Sequence, residues 1–161
     1  MLRVNMICIG KIKEKFYTDA IAEYSKRLGA FCRFAITELP EERVKSNTPN
    51  AAQIDEVLTA EGKRILQKIS PQAYVIALCI EGRLQSSEEL AQTLAGAAVV
   101  GKSTVDCVIG GSYGLSGEVK KRADLRLSMS RMTFPHQLAR VLLTEQIYRA
   151  FEINSGGKYH K

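Results

Sequence analysis

Three segments in the C-terminal half of the chain combine residue types that could bind a ligand and move a proton. They are the glycine-rich stretch 110–117, the segment 129–136 and the tail 156–161. The only two histidines of the chain, His136 and His160, lie in the second and third of these segments. Histidine is the side chain whose ordinary pKa lies near neutral pH. The candidate groups for proton transfer therefore share their segments with backbone that could hold a ligand.

The net charge is concentrated in the same part of the chain. Residues 119–161 contain nine Lys or Arg against three Asp or Glu, an excess of six that equals the formal net charge of +6. A basic end on an otherwise neutral body favours a polyanionic partner such as nucleic acid. The plainer alternative is a solvated basic surface that serves solubility.

The glycine-rich stretch follows a predicted buried strand and precedes a short helix. Glycines such as Gly110 have no Cβ, so their backbone groups can approach a ligand closely. The stretch lacks the Gly-Lys-Ser/Thr ending of a P-loop. It also lacks the spacing of the dinucleotide fingerprint, which belongs after the first strand. The alternative is that these glycines serve only a tight turn.

Segment 129–136 joins the fifth predicted strand to the last predicted helix. We expect Pro135 at the first helical position, which leaves free backbone N–H groups able to hold an anionic group or a polar edge. Its methionines, Met129 and Met132, offer soft apolar contact for an adenine or a thioether. The alternative is an ordinary loop with two core methionines. His136 and Arg140 share one helical face. This face could be a cationic edge that contacts a phosphate or a base, or it could simply be the solvated start of the helix.

The last helix and the tail complete the candidate surface. The helix is apolar on more than one face, which predicts contact with a partner subunit. Within it, Glu145 and Arg149 are spaced for an intrahelical ion pair. The tail is expected to be disordered, as most termini are. Its Tyr159 and His160 are nevertheless types that stack on unpaired bases and contact phosphates.

The elements that must position these segments alternate along the chain. Five strands alternating with helices predict one α/β domain, 1–161, with a parallel sheet covered by helices on both faces. Ligands bind such sheets beyond the carboxyl ends of the strands, here the third, fourth and fifth. The predicted strands are 2–9, 32–39, 74–80, 105–109 and 125–129. The predicted helices are 16–28, 51–69, about 86–99, 118–123 and 135–151, with a turn at 81–82 and a mobile loop at 41–50.

Composition narrows the class of protein. The four cysteines lie singly in apolar runs, which predicts buried thiols and disfavours both a zinc site and a disulfide scaffold. No apolar run approaches the roughly 18 residues of a membrane span, and the N-terminus reads as a strand and not as a signal peptide. We therefore expect a cytoplasmic protein without a membrane or metal partner.

The glycine stretch 110–116, the segment 132–151 and the ending 158–161 together resemble the RlmH family of 23S rRNA pseudouridine N3 methyltransferases, a minimal branch of the SPOUT class. The likeness extends over the whole chain in length and order. It implies an α/β SPOUT fold with a C-terminal trefoil knot, a homodimer, S-adenosyl-L-methionine as methyl donor, and 23S rRNA within the large subunit or whole ribosome as substrate.

The resemblance also implies site residues. Carried over position by position, the contacts to the methyl donor fall on Leu78, Gly110, Met129, Ser130, Arg131, Met132, Thr133 and Phe134. Tyr159, His160, His136 and Arg140 match positions that serve the RNA side.

The mechanism expected from this resemblance is simple. The enzyme holds a weakly acidic imide N3 in line with an activated methyl group and removes its proton, with His160 or His136 as base and Arg140 stabilising the anion. Which subunit supplies the tail to each site stays open. The rivals are a ribosome-binding factor without catalysis, a nucleotide-dependent oxidoreductase, and a SPOUT methyltransferase acting on transfer RNA.

Overall fold

Five strands and five helices alternate along the computed structural model, which describes residues 1–161. This alternation confirms the predicted fold class, and most boundaries agree with the sequence to within one or two residues. The strands are β1 (Arg3–Ile9), β2 (Arg33–Leu39), β3 (Tyr74–Leu84), β4 (Thr104–Ile109) and β5 (Leu125–Ser128). The helices are α1 (Lys15–Leu28), α2 (Ala51–Lys68), α3 (Ser87–Val99), α4 (Gly117–Arg122) and α5 (His136–Asn154).

The strands form one sheet in the order β2-β1-β4-β3-β5, and every pair in it is parallel. The middle strand β4 is buried over all six of its residues, as expected for a sheet covered on both faces. Because the strands run in the same direction, the segments that follow β3, β4 and β5 emerge along one edge. The glycine-rich stretch and segment 129–135 are therefore neighbours in space.

Each face of the sheet has its own hydrophobic core. One core takes Leu28 from α1, Leu94 from α3 and Leu143 from α5 against the sheet. The other takes Ile65 from α2 and Val119 from α4. Helices thus cover both faces, as predicted.

Strand β3 continues past the predicted turn at 81–82. It pairs with β5 up to Leu78, leaves the ladder, and resumes at Arg83, so that Leu78 and Arg83 both lie opposite Leu127. Gly82 sits so close to β5 that a Cβ there would lie 2.7 Å from the carbonyl oxygen of Arg126. The sequence missed the second half of β3 because a local irregularity in a strand resembles a turn.

The helix ends follow side-chain capping where the sequence contains it. Asn50 and Ser86 both form capping boxes at the starts of α2 and α3, which confirms these two predicted starts. The prediction for Pro135 was wrong by one position: it is the N-cap of α5, and its carbonyl accepts the amide N–H of Ala139.

The tail is ordered, which corrects the expectation of a disordered end. Gly156 adopts φ +72° after the last turn of α5. The N–H of Gly157 donates to the carbonyl of Glu152 at 2.8 Å, and the N–H of Gly156 donates to Ile153 at 3.2 Å. These two bonds form a Schellman motif, which reverses the chain and directs the tail back along α5.

Helix α5 packs between α1 and α3, so much of its apolar surface is covered within the chain. The apolar pattern that predicted a partner subunit is therefore partly explained by two neighbouring helices. All four cysteines are buried free thiols, and burial raises the pKa of Cys8 to about 12. None of the five helices combines the length and the apolar character of a membrane-spanning segment.

Candidate functional site

A cavity of about 470 Å³ opens at the carboxyl edge of the sheet, where the segments after β3, β4 and β5 meet. Its volume lies in the range of small-molecule sites. Seven of the eight predicted donor-binding residues line it, and so does His136. The lining residues that the sequence had singled out are Leu78, Gly110, Met129, Ser130, Met132, Thr133, Phe134 and His136.

The glycine-rich turn forms one wall of the cavity. Gly110 is buried, and a Cβ there would lie 2.3 Å from the carbonyl oxygen of Gly114. Gly114 adopts φ +87°, a conformation that favours glycine, and its N–H donates to the carbonyl of Gly111 at 3.1 Å. The turn is folded so tightly that no side chain fits at Gly110, as the tight-turn alternative predicts; the role of this glycine towards a ligand stays a prediction.

A buried carboxylate supports the turn from beneath. A Cβ on Gly111 would lie 3.4 Å from Oε1 of Glu61, which is only 3% exposed. Oε2 of Glu61 accepts the N–H of Glu42 at 3.0 Å, while Oε1 has no hydrogen-bond partner. Burial raises the pKa of Glu61. Glu61 thus lies against the glycine turn and, through its hydrogen bond to Glu42, fixes the start of the loop 41–50.

The segment after β5 forms the opposite wall. Ser128 donates through its hydroxyl to the carbonyl of Ser130 at 3.0 Å, and Oγ of Ser130 accepts the N–H of Met132 at 3.0 Å. The start of α5 has no side-chain cap, so its first amide groups are available beside Pro135 and His136 in the cavity wall. Arg131 is exposed and lies outside the wall, unlike its neighbours.

Arg140 does not form the cationic edge that the sequence suggested. Its side chain is 1% exposed and ion-paired with Glu38, with 2.7 Å between Nη1 and Oε2. Its Nη2 donates to the carbonyls of Ile9 at 3.4 Å and Gly10 at 3.2 Å. The guanidinium therefore joins α5 to the ends of β1 and β2, and its role towards RNA or a reacting base stays a prediction that these contacts do not support.

The tail residues gather on the middle of α5 and not at the cavity. The hydroxyl of Tyr159 donates to Glu145 at 3.0 Å, and its ring lies 4.7 Å from the guanidinium carbon of Arg149. Burial raises the pKa of Tyr159. Arg149 also pairs with Glu145 at 2.6 Å, which confirms the expected intrahelical ion pair.

Both ring nitrogens of His160 are engaged in this cluster. Nδ1 lies 3.2 Å from Nη1 of Arg149, which can only donate, and Nε2 lies 2.7 Å from Oε1 of Glu88. The neutral tautomer that satisfies both contacts carries its proton on Nε2. Arg149 lies thirteen residues beyond His136 on α5, or about 20 Å at ~1.5 Å per residue. The structure therefore separates the two histidines within one chain.

Sequence reasoning missed the charged side chains of the cavity. Lys120 on α4 and Glu81 at the irregularity in β3 form an ion pair at 2.5 Å inside its lining. The sequence predicts Lys120 within the short helix 118–123 and Glu81 within the turn 81–82, with no site role for either. The available signal was position, because Glu81 follows the predicted third strand and Lys120 follows the glycine-rich stretch after the fourth.

No group of three or more His, Cys, Asp or Glu side chains is placed to hold a metal ion. Cys79 lines the cavity, but burial raises the pKa of its thiol above the ordinary value. The site therefore presents backbone amides, apolar side chains, one ion pair and one imidazole. That arrangement suits a neutral or zwitterionic ligand with a flat apolar part.

Comparison with known proteins gives matches over the full chain. A family model described as "Predicted SPOUT methyltransferase" matches residues 2–160. A protein of Lactiplantibacillus plantarum named ribosomal RNA large subunit methyltransferase H is 49% identical over 160 residues, which cover 99% of this chain and 100% of the relative. The protein of the same name in Clostridium novyi is 49% identical over 162 residues, with the same coverage.

Two solved structures share the fold at low sequence identity. A probable methylase family protein from Haemophilus influenzae superposes with a TM-score of 0.54 and 17% identity, over 100% of this chain and 72% of the other. A probable methyltransferase from Bordetella pertussis gives a TM-score of 0.57 and 15% identity, over 93% and 96%. At these identities the likeness concerns the fold alone.

Proposed function

The chain belongs to the SPOUT methyltransferase family, and we propose that it methylates ribosomal RNA of the large subunit, at N3 of a pseudouridine in 23S rRNA. The observation that carries this proposal is the 49% identity, over essentially the whole chain, to relatives named ribosomal RNA large subunit methyltransferase H. The cavity at the carboxyl edge of the sheet supports it, because it offers a site for the methyl donor where the topology favours ligand binding.

The residues of the cavity fit S-adenosylmethionine. Gly110 leaves room for backbone alone, so its amide and carbonyl can meet the polar edge of a base. Met129 and Phe134 offer apolar contact to a flat ring, and the uncapped start of α5 offers N–H donors. We propose Leu78, Gly110 and residues 129, 130 and 132–134 as the donor-binding set, with Arg131 at its outer rim.

S-adenosylmethionine supplies an activated sulfonium methyl group, which leaves the protein to orient the target and handle one proton. The imide N3 of the target must lose that proton as the new N–C bond forms. We propose His136 as the group that accepts it, because its imidazole lies in the cavity wall. His160 is the weaker candidate, since accepting a proton on Nδ1 would break its contact with Arg149.

The position of the tail supports a homodimer with shared sites. In one chain the tail cluster lies about 20 Å along α5 from His136, so Tyr159 and His160 do not reach their own cavity. We propose that they serve the cavity of a second copy of this chain, where they would contact the RNA. The knot implied by the family resemblance stays a prediction.

The RNA-facing charge is smaller than the sequence suggested. Four of the nine basic residues in 119–161 have an acidic partner within the chain. The cations left for phosphates include Lys121, Arg131, Lys158 and Lys161, all of them exposed. Because a small protein with few such cations can hardly select one base in free RNA, we propose the folded subunit or ribosome as substrate, in the cytoplasm.

The first experiment is transfer of a labelled methyl group to ribosomes that lack the modification. Transfer RNA and protein-free 23S rRNA serve as parallel substrates. We expect label in 23S rRNA, strongest with assembled ribosomes. Label in transfer RNA alone would favour the transfer RNA alternative, and donor binding without any transfer would leave a non-catalytic ribosome-binding factor.

Mixed dimers test whether the tail acts on the second copy. Gly110→Ala removes the donor site of one chain, and His160→Ala alters the tail of the other; each variant alone should be inactive. An equal mixture should recover up to about a quarter of wild-type activity, because only the heterodimer has one complete site. A mixture that stays inactive would assign the tail to its own chain's site, and an active His160→Ala homodimer would deny His160 any role.

A further inference from the structure

The charged side chains of the cavity are concentrated at one point of its wall. Of the residues that line it, only Glu81 and Lys120 carry ordinary acidic or basic groups, beside the imidazole of His136. They pair with each other at 2.5 Å between Nζ and Oε1. Their side chains are 29% exposed for Lys120 and 58% exposed for Glu81, so the pair faces the opening rather than the core.

Backbone contacts hold both residues in position. Glu81 lies in the stretch of β3 that leaves the ladder, next to Gly82, which packs directly on the backbone of β5. The carbonyl of Lys120 accepts a hydrogen bond from Nε of Arg126 at 3.1 Å. The main chain at each residue is therefore fixed, while the two flexible side chains can swing apart. The contact with Lys120 lowers the pKa of Glu81, which keeps its carboxylate ionised at neutral pH.

We propose that Glu81 and Lys120 form the subsite for the amino-acid end of the methyl donor. The ammonium of Lys120 binds its α-carboxylate, and the carboxylate of Glu81 binds its α-ammonium. This inference rests on the proposed function, since it takes S-adenosylmethionine as the ligand of the cavity.

Charge balance is the reason that this subsite fits a zwitterion. When the ion pair opens around a group with one positive and one negative end, each protein charge exchanges one opposite partner for another. No charge is left unpaired, so binding avoids the desolvation cost of an isolated ion. A ligand without the amino-acid end leaves the pair closed and gains nothing from either residue. The pair thus selects the complete donor over its neutral fragment.

Truncated ligands separate this subsite from the rest of the cavity. Calorimetric titration uses three probes: S-adenosylmethionine, its decarboxylated form, and 5′-methylthioadenosine, which lacks the whole amino-acid end. Lys120→Met should weaken S-adenosylmethionine about tenfold, the size of one charge-assisted hydrogen bond, and should leave 5′-methylthioadenosine unchanged. The variant should not weaken the decarboxylated form, because the ammonium of that ligand no longer has to displace Lys120 from Glu81. Glu81→Gln should weaken S-adenosylmethionine and the decarboxylated form, and leave 5′-methylthioadenosine unchanged.

Matched controls show whether the effect belongs to the cavity. Lys121→Met removes the neighbouring exposed cation and should leave the affinity for each of the three probes unchanged, because Lys121 does not line the cavity. Lys120→Arg keeps the charge and should keep most of the affinity for S-adenosylmethionine. Wild-type binding with no selective loss in either variant would overturn this inference and leave the proposed function intact. Failure of the wild type to bind any of the three probes would overturn both.

Discussion

Replacing Arg140 by alanine distinguishes the structural role seen for this residue from the RNA-facing role expected from the sequence. The buried guanidinium joins α5 to Glu38 and to the carbonyls of Ile9 and Gly10. If these contacts are its function, the variant loses stability and keeps its cavity. If the side chain instead faces a phosphate or a reacting base, the variant keeps its stability and loses activity or RNA affinity.

The magnitude follows from the contacts. Two carbonyls lose a donor, at about 1 kcal/mol each. Glu38 loses a charged partner, but its side chain is 36% exposed and regains water, so this loss is about 1 kcal/mol, as for a solvent-exposed pair. The total is about 3 kcal/mol. For a chain of 161 residues, that loss lowers Tm by about 6–12 °C.

Thermal unfolding followed by circular dichroism measures the Tm of the variant. Calorimetric titration with S-adenosylmethionine at low temperature shows whether the cavity still binds its ligand. Arg131→Ala is the matched control, because it removes an exposed arginine of the preceding loop and should change stability by less than about 0.5 kcal/mol. An Arg140→Ala protein with wild-type Tm and weakened binding to ribosomes would refute the structural role and support the RNA-facing role of Arg140.

Three further measurements test the site. Gly110→Ala should abolish binding of S-adenosylmethionine in calorimetry, because the alanine Cβ would lie 2.3 Å from the carbonyl oxygen of Gly114 and would distort the turn. Normal affinity in this variant would contradict the tight packing of the turn. Because burial raises the pKa of Glu61, its contribution to stability is present at low pH and is lost as pH rises through that pKa. Urea unfolding should therefore show the stability of Glu61→Gln gaining on wild type as pH rises above the ordinary carboxyl pKa of about 4. A constant difference would contradict a buried ionising carboxyl. Ribosome binding should weaken with salt, with a log–log slope shallower than nine phosphate contacts would give, and Lys161→Ala should reduce that slope by about one unit.

Alternating hydrophobic segments predicted the α/β fold because a buried parallel strand and an amphipathic helix each leave a local pattern in the sequence. The same locality explains the correct starts of α2 and α3, where Asn50 and Ser86 make their capping bonds only three residues away. The glycine turn and segment 129–136 could be predicted as parts of a ligand site because ligands bind such sheets at the strand ends. The structure brings these two segments together around one cavity.

Distant contacts decided the rest. Arg140 lies 102 residues from Glu38, and His160 lies 72 residues from Glu88. No local pattern encodes such a partner. The local sequence is therefore the same whether an arginine is buried in an ion pair or lies on a solvated helix start. The pattern of residues along the chain was enough to predict most of the elements and the loops that meet at the carboxyl edge, because both follow from short-range periodicity and parallel pairing. Which charges remain free at that edge depends on the folded chain, because burial and long-range ion pairing act between residues that the chain order keeps far apart.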